Sequence, residues 1–92
     1  MKKMISNTQG MILSILEVNG PLCGKAIVEF SNGDIKIGSV YVALNDLAYK
    51  GLVLSFGRSE SKPITVRYKI TSRGVCELSR WRESLRQYIG SR

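Results

Sequence analysis

Gly38-Ser39-Val40-Tyr41-Val42-Ala43-Leu44-Asn45-Asp46-Leu47-Ala48-Tyr49-Lys50, followed at once by Gly51-Leu52-Val53-Leu54-Ser55-Phe56, is the stretch on which the fold turns. Val40, Leu44, Leu47 and Ala48 recur at helical spacing and share one face. Lys50 suits the negative end of a helix dipole, and Gly51 supplies the left-handed residue that stops a helix. Leu52 to Phe56 is then rich in strand formers. A helix that runs through one glycine into a strand is a strong local constraint on topology.

Upstream, the spacing predicts a first helix from about Thr8 to Val18, with Thr8 as its N-cap and Asn19-Gly20-Pro21 as its stop. Ile12, Leu13, Ile15, Leu16 and Val18 load it with apolar surface, which suits the centre of a domain. A second helix is expected from about Gly24 to Phe30, with Ala26, Ile27 and Phe30 facing inward. Ser31-Asn32-Gly33-Asp34 is a turn by composition, and Ile35-Lys36-Ile37 alternates as a very short strand would. Downstream, Gly57 to Pro63 is a polar loop and Ile64 to Ile70 alternates as a second strand, which completes a hairpin. Thr71 caps a last helix to about Ile89, whose apolar stripe is Val75, Leu78, Trp81 or Leu85, and Tyr88 or Ile89. The order is helix, helix, helix, hairpin, helix. That is the plan of a winged helix-turn-helix: α+β, mostly helical, with a two-stranded wing and a C-terminal helix.

The 92 residues suit one domain, with a core over 8–70 and the last helix over 71–89. Their 43% hydrophobic and 23% charged content is that of a globular chain. So short a chain has little apolar area to offset conformational entropy, which favours self-association. The formal charge is +7 and unevenly spread: residues 1–57 carry a net +1 and residues 58–92 a net +6. Such a basic excess favours polyanions, nucleic acid before an anionic membrane. No apolar run approaches the roughly 20 residues of a membrane span, and none follows Met1-Lys2-Lys3-Met4 as a secretory leader requires. A cytoplasmic protein, not associated with a membrane, is expected. Cys23 and Cys76 fit no metal-ligand spacing and read as reduced, buried thiols, with a disulfide between them as the alternative. There is no histidine, no G-x-x-x-x-G-K loop and no G-x-G-x-x-G fingerprint, and the carboxylates are scattered. Neither an enzyme, a metal site nor a bound cofactor is expected.

Four fragments, in order and at matching spacing, resemble the PadR-like transcriptional regulators. Ile12-Leu13-Ser14-Ile15-Leu16 with Gly20-Pro21-Leu22-Cys23-Gly24 is similar to that family's hydrophobic helix followed by G-P-L-x-G-Y. Gly38-Ser39-Val40-Tyr41-Val42-Ala43-Leu44-Asn45-Asp46-Leu47 resembles its third helix, and Lys50-Gly51-Leu52-Val53 its x-G-L-[VI]. Arg67-Tyr68-Lys69-Ile70-Thr71-Ser72-Arg73-Gly74 resembles R-Y-Y-x-[LI]-T-x-x-G, with Trp81-Arg82 where the family often has an aromatic and a base. The chain departs from the pattern in three places. Ser59-Glu60-Ser61-Lys62-Pro63 replaces a basic run in the wing, Lys25 replaces a tyrosine, and Asn45-Asp46 stands where a base is common. The resemblance covers about residues 11 to 86, and the chain ends as the shorter subfamily does, without a further helical domain. It implies a winged helix that binds double-stranded DNA as a homodimer through its last helix. It also implies a regulator, usually a repressor, which in some members a small hydrophobic or aromatic effector relieves.

On that reading the third helix enters the major groove. Its face opposite the core is Ser39, Val42, Asn45, Asp46 and Tyr49; asparagine pairs with adenine, serine is adaptable and valine suits a thymine methyl. The amides at Gly38-Ser39 and the hydroxyl of Tyr41 suit phosphate, whereas Asp46 is repelled by it unless it accepts from a cytosine amino group. Arg58, Lys62 and Arg67 on the wing, with Lys25 and Lys36, extend the basic patch. Leu78, Trp81, Leu85 and Tyr88 on the last helix, joined by Ile12 from the first, are the expected contact between two copies. Arg73, Arg80, Arg82, Arg86 and Arg92 flank that stripe, a pattern that also suits a membrane surface. The alternative function is a winged helix that binds protein through Val42 and Tyr49 and reads no DNA.

Overall fold

Helix α1 (Asn7–Asn19) begins on a capping box rather than on Thr8. The Ser6 hydroxyl accepts from the Gln9 amide at 3.2 Å, and the Gln9 side chain accepts from the Ser6 amide at 3.3 Å. Both partners lie in the Ser6-Asn7-Thr8-Gln9 pattern, and two satisfied amides outweigh the one that Thr8 would cap. Ile12, Leu13 and Leu16 then line the buried side of α1, which is the core helix that its composition predicts.

The computed structural model describes residues 5–57 and 66–90, with side chains through 86. After α1 come β1 (Leu22–Cys23), α2 (Gly24–Phe30), α3 (Ile37–Tyr49), β2 (Val53–Phe56), β3 (Arg67–Ile70) and α4 (Ser72–Gly90). The strands form one antiparallel sheet in the order β1-β3-β2. Tyr68 of the central strand faces Leu22 on one side and Ser55 on the other. Ile27, Ile35, Val40, Leu44, Leu47, Leu52, Val53 and Leu78 close the core around α1. No helix among the described residues is long and apolar enough to cross a membrane.

Two expectations about the segment before α3 change. Leu22–Cys23, not Ile35–Ile37, supplies the short strand. Ile35 owes its burial to a turn: the Ser31 hydroxyl accepts from the Ile35 amide at 3.0 Å and donates to the Val28 carbonyl at 2.7 Å. With its amide so satisfied, Ile35 needs no strand partner. Phe30 at the end of α2 is exposed rather than inward, while Ile27 is buried as expected. The second wing strand spans Arg67–Ile70; Ile64 and Thr65, and the loop before them, lie outside the described residues. Both cysteines are free, Cys23 half-buried and Cys76 exposed, so the pair of buried thiols is not found.

The join between α3, β2 and α4 is tightly built. Gly51, at φ 79°, lets the Leu52 amide reach the Leu47 carbonyl at 2.9 Å and its own amide reach Ala48 at 3.0 Å, a Schellman closure. The Thr71 hydroxyl donates to the Gly51 carbonyl at 2.8 Å and accepts from the Gly74 amide at 3.0 Å, so one side chain caps α4 and ties it to the end of α3. The Thr71 amide donates to the Leu52 carbonyl at 3.1 Å.

Candidate functional site

Helix α3 buries Val40, Ala43, Leu44 and Leu47 and leaves the opposite side to solvent. At 3.6 residues per turn, Gly38, Val42, Asn45 and Tyr49 form one row along the centre of that exposed side. Val42 is 70% exposed and Tyr49 91%, unusual for side chains of their size. No described residue covers this row.

One flank of the row runs toward the start of α1. Ser39, Ala43 and Asp46 face Ser6, Thr8 and Gln9 across an open cleft of about 490 Å³. Asp46 is held from both sides: Lys50 reaches its carboxylate at 3.0 Å, and the Gln9 amide donates to the same oxygen at 2.5 Å. The hydrogen bond from Lys50, then that from Gln9, keep the carboxyl below its usual range. A group lowered on folding adds stability above its ordinary value and loses that contribution as pH falls through the lowered one. Gln9 thus caps α1 with its oxygen and anchors α3 with its nitrogen. Gln9→Ala should lower the unfolding free energy by about 1 kcal/mol at neutral pH and weaken its dependence on acid, which urea melts at two pH values would measure. A wild-type midpoint at both would sink this double role.

The other flank runs through Tyr41 toward α2 and the sheet. A Cβ at Gly24 would stand 2.6 Å from the Tyr41 ring, so this glycine lets the tyrosine lie flat against the start of α2. Tyr41 also bears on Tyr68: burial first, then the repulsion that two neighbouring phenolates would feel, push the Tyr68 hydroxyl above its ordinary value. Lys25 is exposed in the first turn of α2, and Cys23, two residues earlier, pairs with the exposed Arg67 of β3. Lys36 stands exposed at the N-cap of α3. Lys25, Lys36 and Arg67 form no ion pair with another described residue. Arg58 and Lys62 lie outside the described residues.

The basic residues of α4 are differently placed. Arg82 binds Glu17 and the Ser14 hydroxyl of α1, each at 3.0 Å; Arg80 pairs with Glu77 at 3.2 Å and Arg86 with Glu83 at 3.8 Å. Two expected contacts between copies change. Ile12 and Leu78 are 0% exposed in the chain's own core, so neither can meet a second copy. Trp81 lies with its indole on Gly10 of α1, where a Cβ would collide with the ring, and is half-buried there. Leu85 remains exposed, and the Tyr88 side chain lies outside the described residues. Local sequence revealed the exposed row but missed Gln9, whose partner Asp46 lies on a different helix.

No family model matches the chain, and no curated protein does. Solved structures do match. A PadR family transcription regulator from Clostridium difficile superposes with a TM-score of 0.76 at 23% identity, over 94% of this chain and 93% of that one. Bacillus subtilis PadR in complex with operator DNA gives 0.74 at 22% identity, over 82% of this chain and 46% of that one. YusO from Bacillus subtilis gives 0.70 at 19% identity, over 82% of this chain and 51% of that one. The chain thus spans about half the length of the two Bacillus proteins. The fold is a winged helix like that of PadR family regulators.

Proposed function

We propose that the protein binds double-stranded DNA with α3 in the major groove and acts as a transcriptional repressor in the cytoplasm. The observation that carries this reading is the uncovered row Gly38, Val42, Asn45 and Tyr49, bordered by Lys25, Lys36 and Arg67. An exposed helix face of apolar and amide side chains matches the base edges of the groove, and the cations beside it match phosphate. Ser39 at the first turn of α3 and the Tyr41 hydroxyl add polar contacts to the backbone. The Bacillus subtilis PadR structure, which holds operator DNA, supports the same use of the fold. With neither histidine nor a phosphate loop, the chain is read as a binding protein and not an enzyme.

The unit that binds is a homodimer on this reading, as the symmetry of paired half-sites requires. Leu85 on α4 supports it, as does a groove of about 290 Å³ bordered by Met11, Ile15, Phe30 and Trp81. The same groove is where a small hydrophobic or aromatic effector would act.

Titration of duplex DNA over a salt series tests the proposal. If about six phosphates are neutralised per dimer, log affinity falls against log salt with a slope of about −5. The Lys36→Ala, Arg67→Ala double variant removes four of those contacts per dimer and should bring the slope to about −2. A flat slope in the unaltered protein would overturn the reading in favour of a protein-binding winged helix.

A further inference from the structure

We infer that the α3 row selects A·T base pairs in each half-site, with Val42 on a thymine methyl and Asn45 on an adenine; this rests on the duplex-DNA reading above. Val42 is a β-branched aliphatic side chain, 70% exposed, at the middle of the row. Thymine is the one base that presents a methyl group in the major groove. Asn45 is exposed three residues further on, about 4.5 Å along the helix axis, a spacing of one to two base steps. Its amide offers the donor and acceptor that adenine N7 and N6 match together.

What the row lacks is as informative. Guanine presents two acceptors, O6 and N7, which arginine or lysine read best. At the C-terminal end of α3, Lys50 is held by Asp46 at 3.0 Å, and among the described residues the other cation there, Arg73, lies beside Gly51, beyond the last turn and off the row. Lys36 stands before the first turn, at the N-cap, away from the centre of the row. Cytosine presents an amino group that a carboxylate reads, and Asp46 is the only carboxylate on α3. Its oxygen is already engaged by Gln9 and Lys50, and it stands to one side of the row, over the cleft against α1. The pairing that neutralises Asp46 near phosphate also withdraws it from reading cytosine. Ser39 accepts any base and discriminates little. The groups left free to discriminate are a methyl-bearing side chain and an amide.

The test is selection of binding sites from a random duplex library with the full chain, then titration of the selected site with altered bases. Selected half-sites should carry adjacent A·T pairs at fixed positions. Uracil in place of one thymine removes only its methyl and should weaken binding about fourfold. In Val42→Ala that uracil penalty should vanish. Asn45→Ala should lose about tenfold on the selected site and bind all four bases alike at the adenine position. Both side chains are exposed, so neither change threatens the core, and thermal melts would verify that. Selected sites with G·C pairs at those positions, or a uracil penalty that persists in Val42→Ala, would overturn the inference while leaving DNA binding intact. Salt-dependent binding with no sequence enriched would do the same. No binding to any duplex would overturn both this inference and the reading on which it rests.

Discussion

Gly74→Ala should lower the unfolding free energy by about 3 kcal/mol, the upper range for adding volume to a packed site. The loss is large because the obstacle is backbone. A Cβ at position 74 would collide with the Leu52 carbonyl oxygen and stand 2.7 Å from the Ile70 side chain. The carbonyl cannot step aside cheaply, since it accepts the Thr71 amide at 3.1 Å and belongs to the residue whose own amide closes the end of α3 at 2.9 Å. Shifting it would strain the Schellman closure, the cap of α4 and the start of β2 together. In a domain whose whole stability is on the order of 5–15 kcal/mol, that is a major fraction. Urea unfolding at fixed protein concentration would measure it, as a lowered midpoint with an unchanged slope. A midpoint equal to that of the unaltered chain would mean that α4 can tilt away from β2, and that Thr71 does not fix their approach.

The same join explains how much of the fold is legible in the sequence. Lys50-Gly51-Leu52-Val53 and Thr71-Ser72-Arg73-Gly74 each carry a local mechanism, a left-handed glycine and a hydroxyl cap, so their positions can be read without tertiary information. The buried face of α3 is legible for a similar reason: its apolar spacing is regular, and the exposed row is simply the other side of the helix. What is not legible depends on partners far away in the chain. β1 is two residues long, too short for any periodicity, and exists because Tyr68 and Arg67 offer it a ladder. The alternation of Ile35-Lys36-Ile37 imitates a strand, yet Ile35 is held by the Ser31 hydroxyl and Ile37 already begins α3. Leu78 on an amphipathic helix reads as a subunit contact until it is seen at 0% exposure in the chain's own core, and Gly10, on another helix, is what gives the Trp81 indole a flat seat. Asp46 reads as a defect on a DNA-facing helix until Gln9 and Lys50 are seen to hold it. Each of these errors comes from judging a side chain by its own element.

Of the basic surface, too, sequence gives the amount but not the disposition. Most of the positive charge lies after residue 57. On α4 much of it is answered: Arg80, Arg82 and Arg86 each face a glutamate. Exposed pairs of this kind add little stability, but they do lower the charge that α4 offers to a polyanion. The cations that form no ion pair with another described residue include Lys25, Lys36 and Arg67, which border α3. Among the described residues, three arginines of α4 are thus answered by glutamates, whereas Lys25, Lys36 and Arg67 beside α3 are not.

Gly38→Glu should leave the fold intact and weaken duplex DNA binding by about a hundredfold, since a carboxylate set against phosphate costs several kcal/mol. The argument begins with what Gly38 is not needed for. An added Cβ there meets nothing within 4 Å, and the residue is not among the glycines with positive φ. At Gly24 and Gly74, by contrast, a neighbouring ring or carbonyl requires the absence of a side chain. Glycine near the start of a helix costs up to about 1 kcal/mol relative to alanine, so a position with no internal reason for it points to an external one. Gly38 opens the row that Val42, Asn45 and Tyr49 continue, and a bare first turn lets backbone amides approach phosphate closely. Gly38→Ala should then raise the melting temperature slightly while weakening DNA binding, an opposition of sign that a purely structural glycine cannot produce. Thermal melts and DNA titration on the same samples would decide it. If alanine lowers the melting temperature, the fold does need this glycine after all; if glutamate binds duplex DNA like the unaltered chain, the first turn of α3 does not face the backbone, and the docking of α3 in the groove has to be turned about its axis.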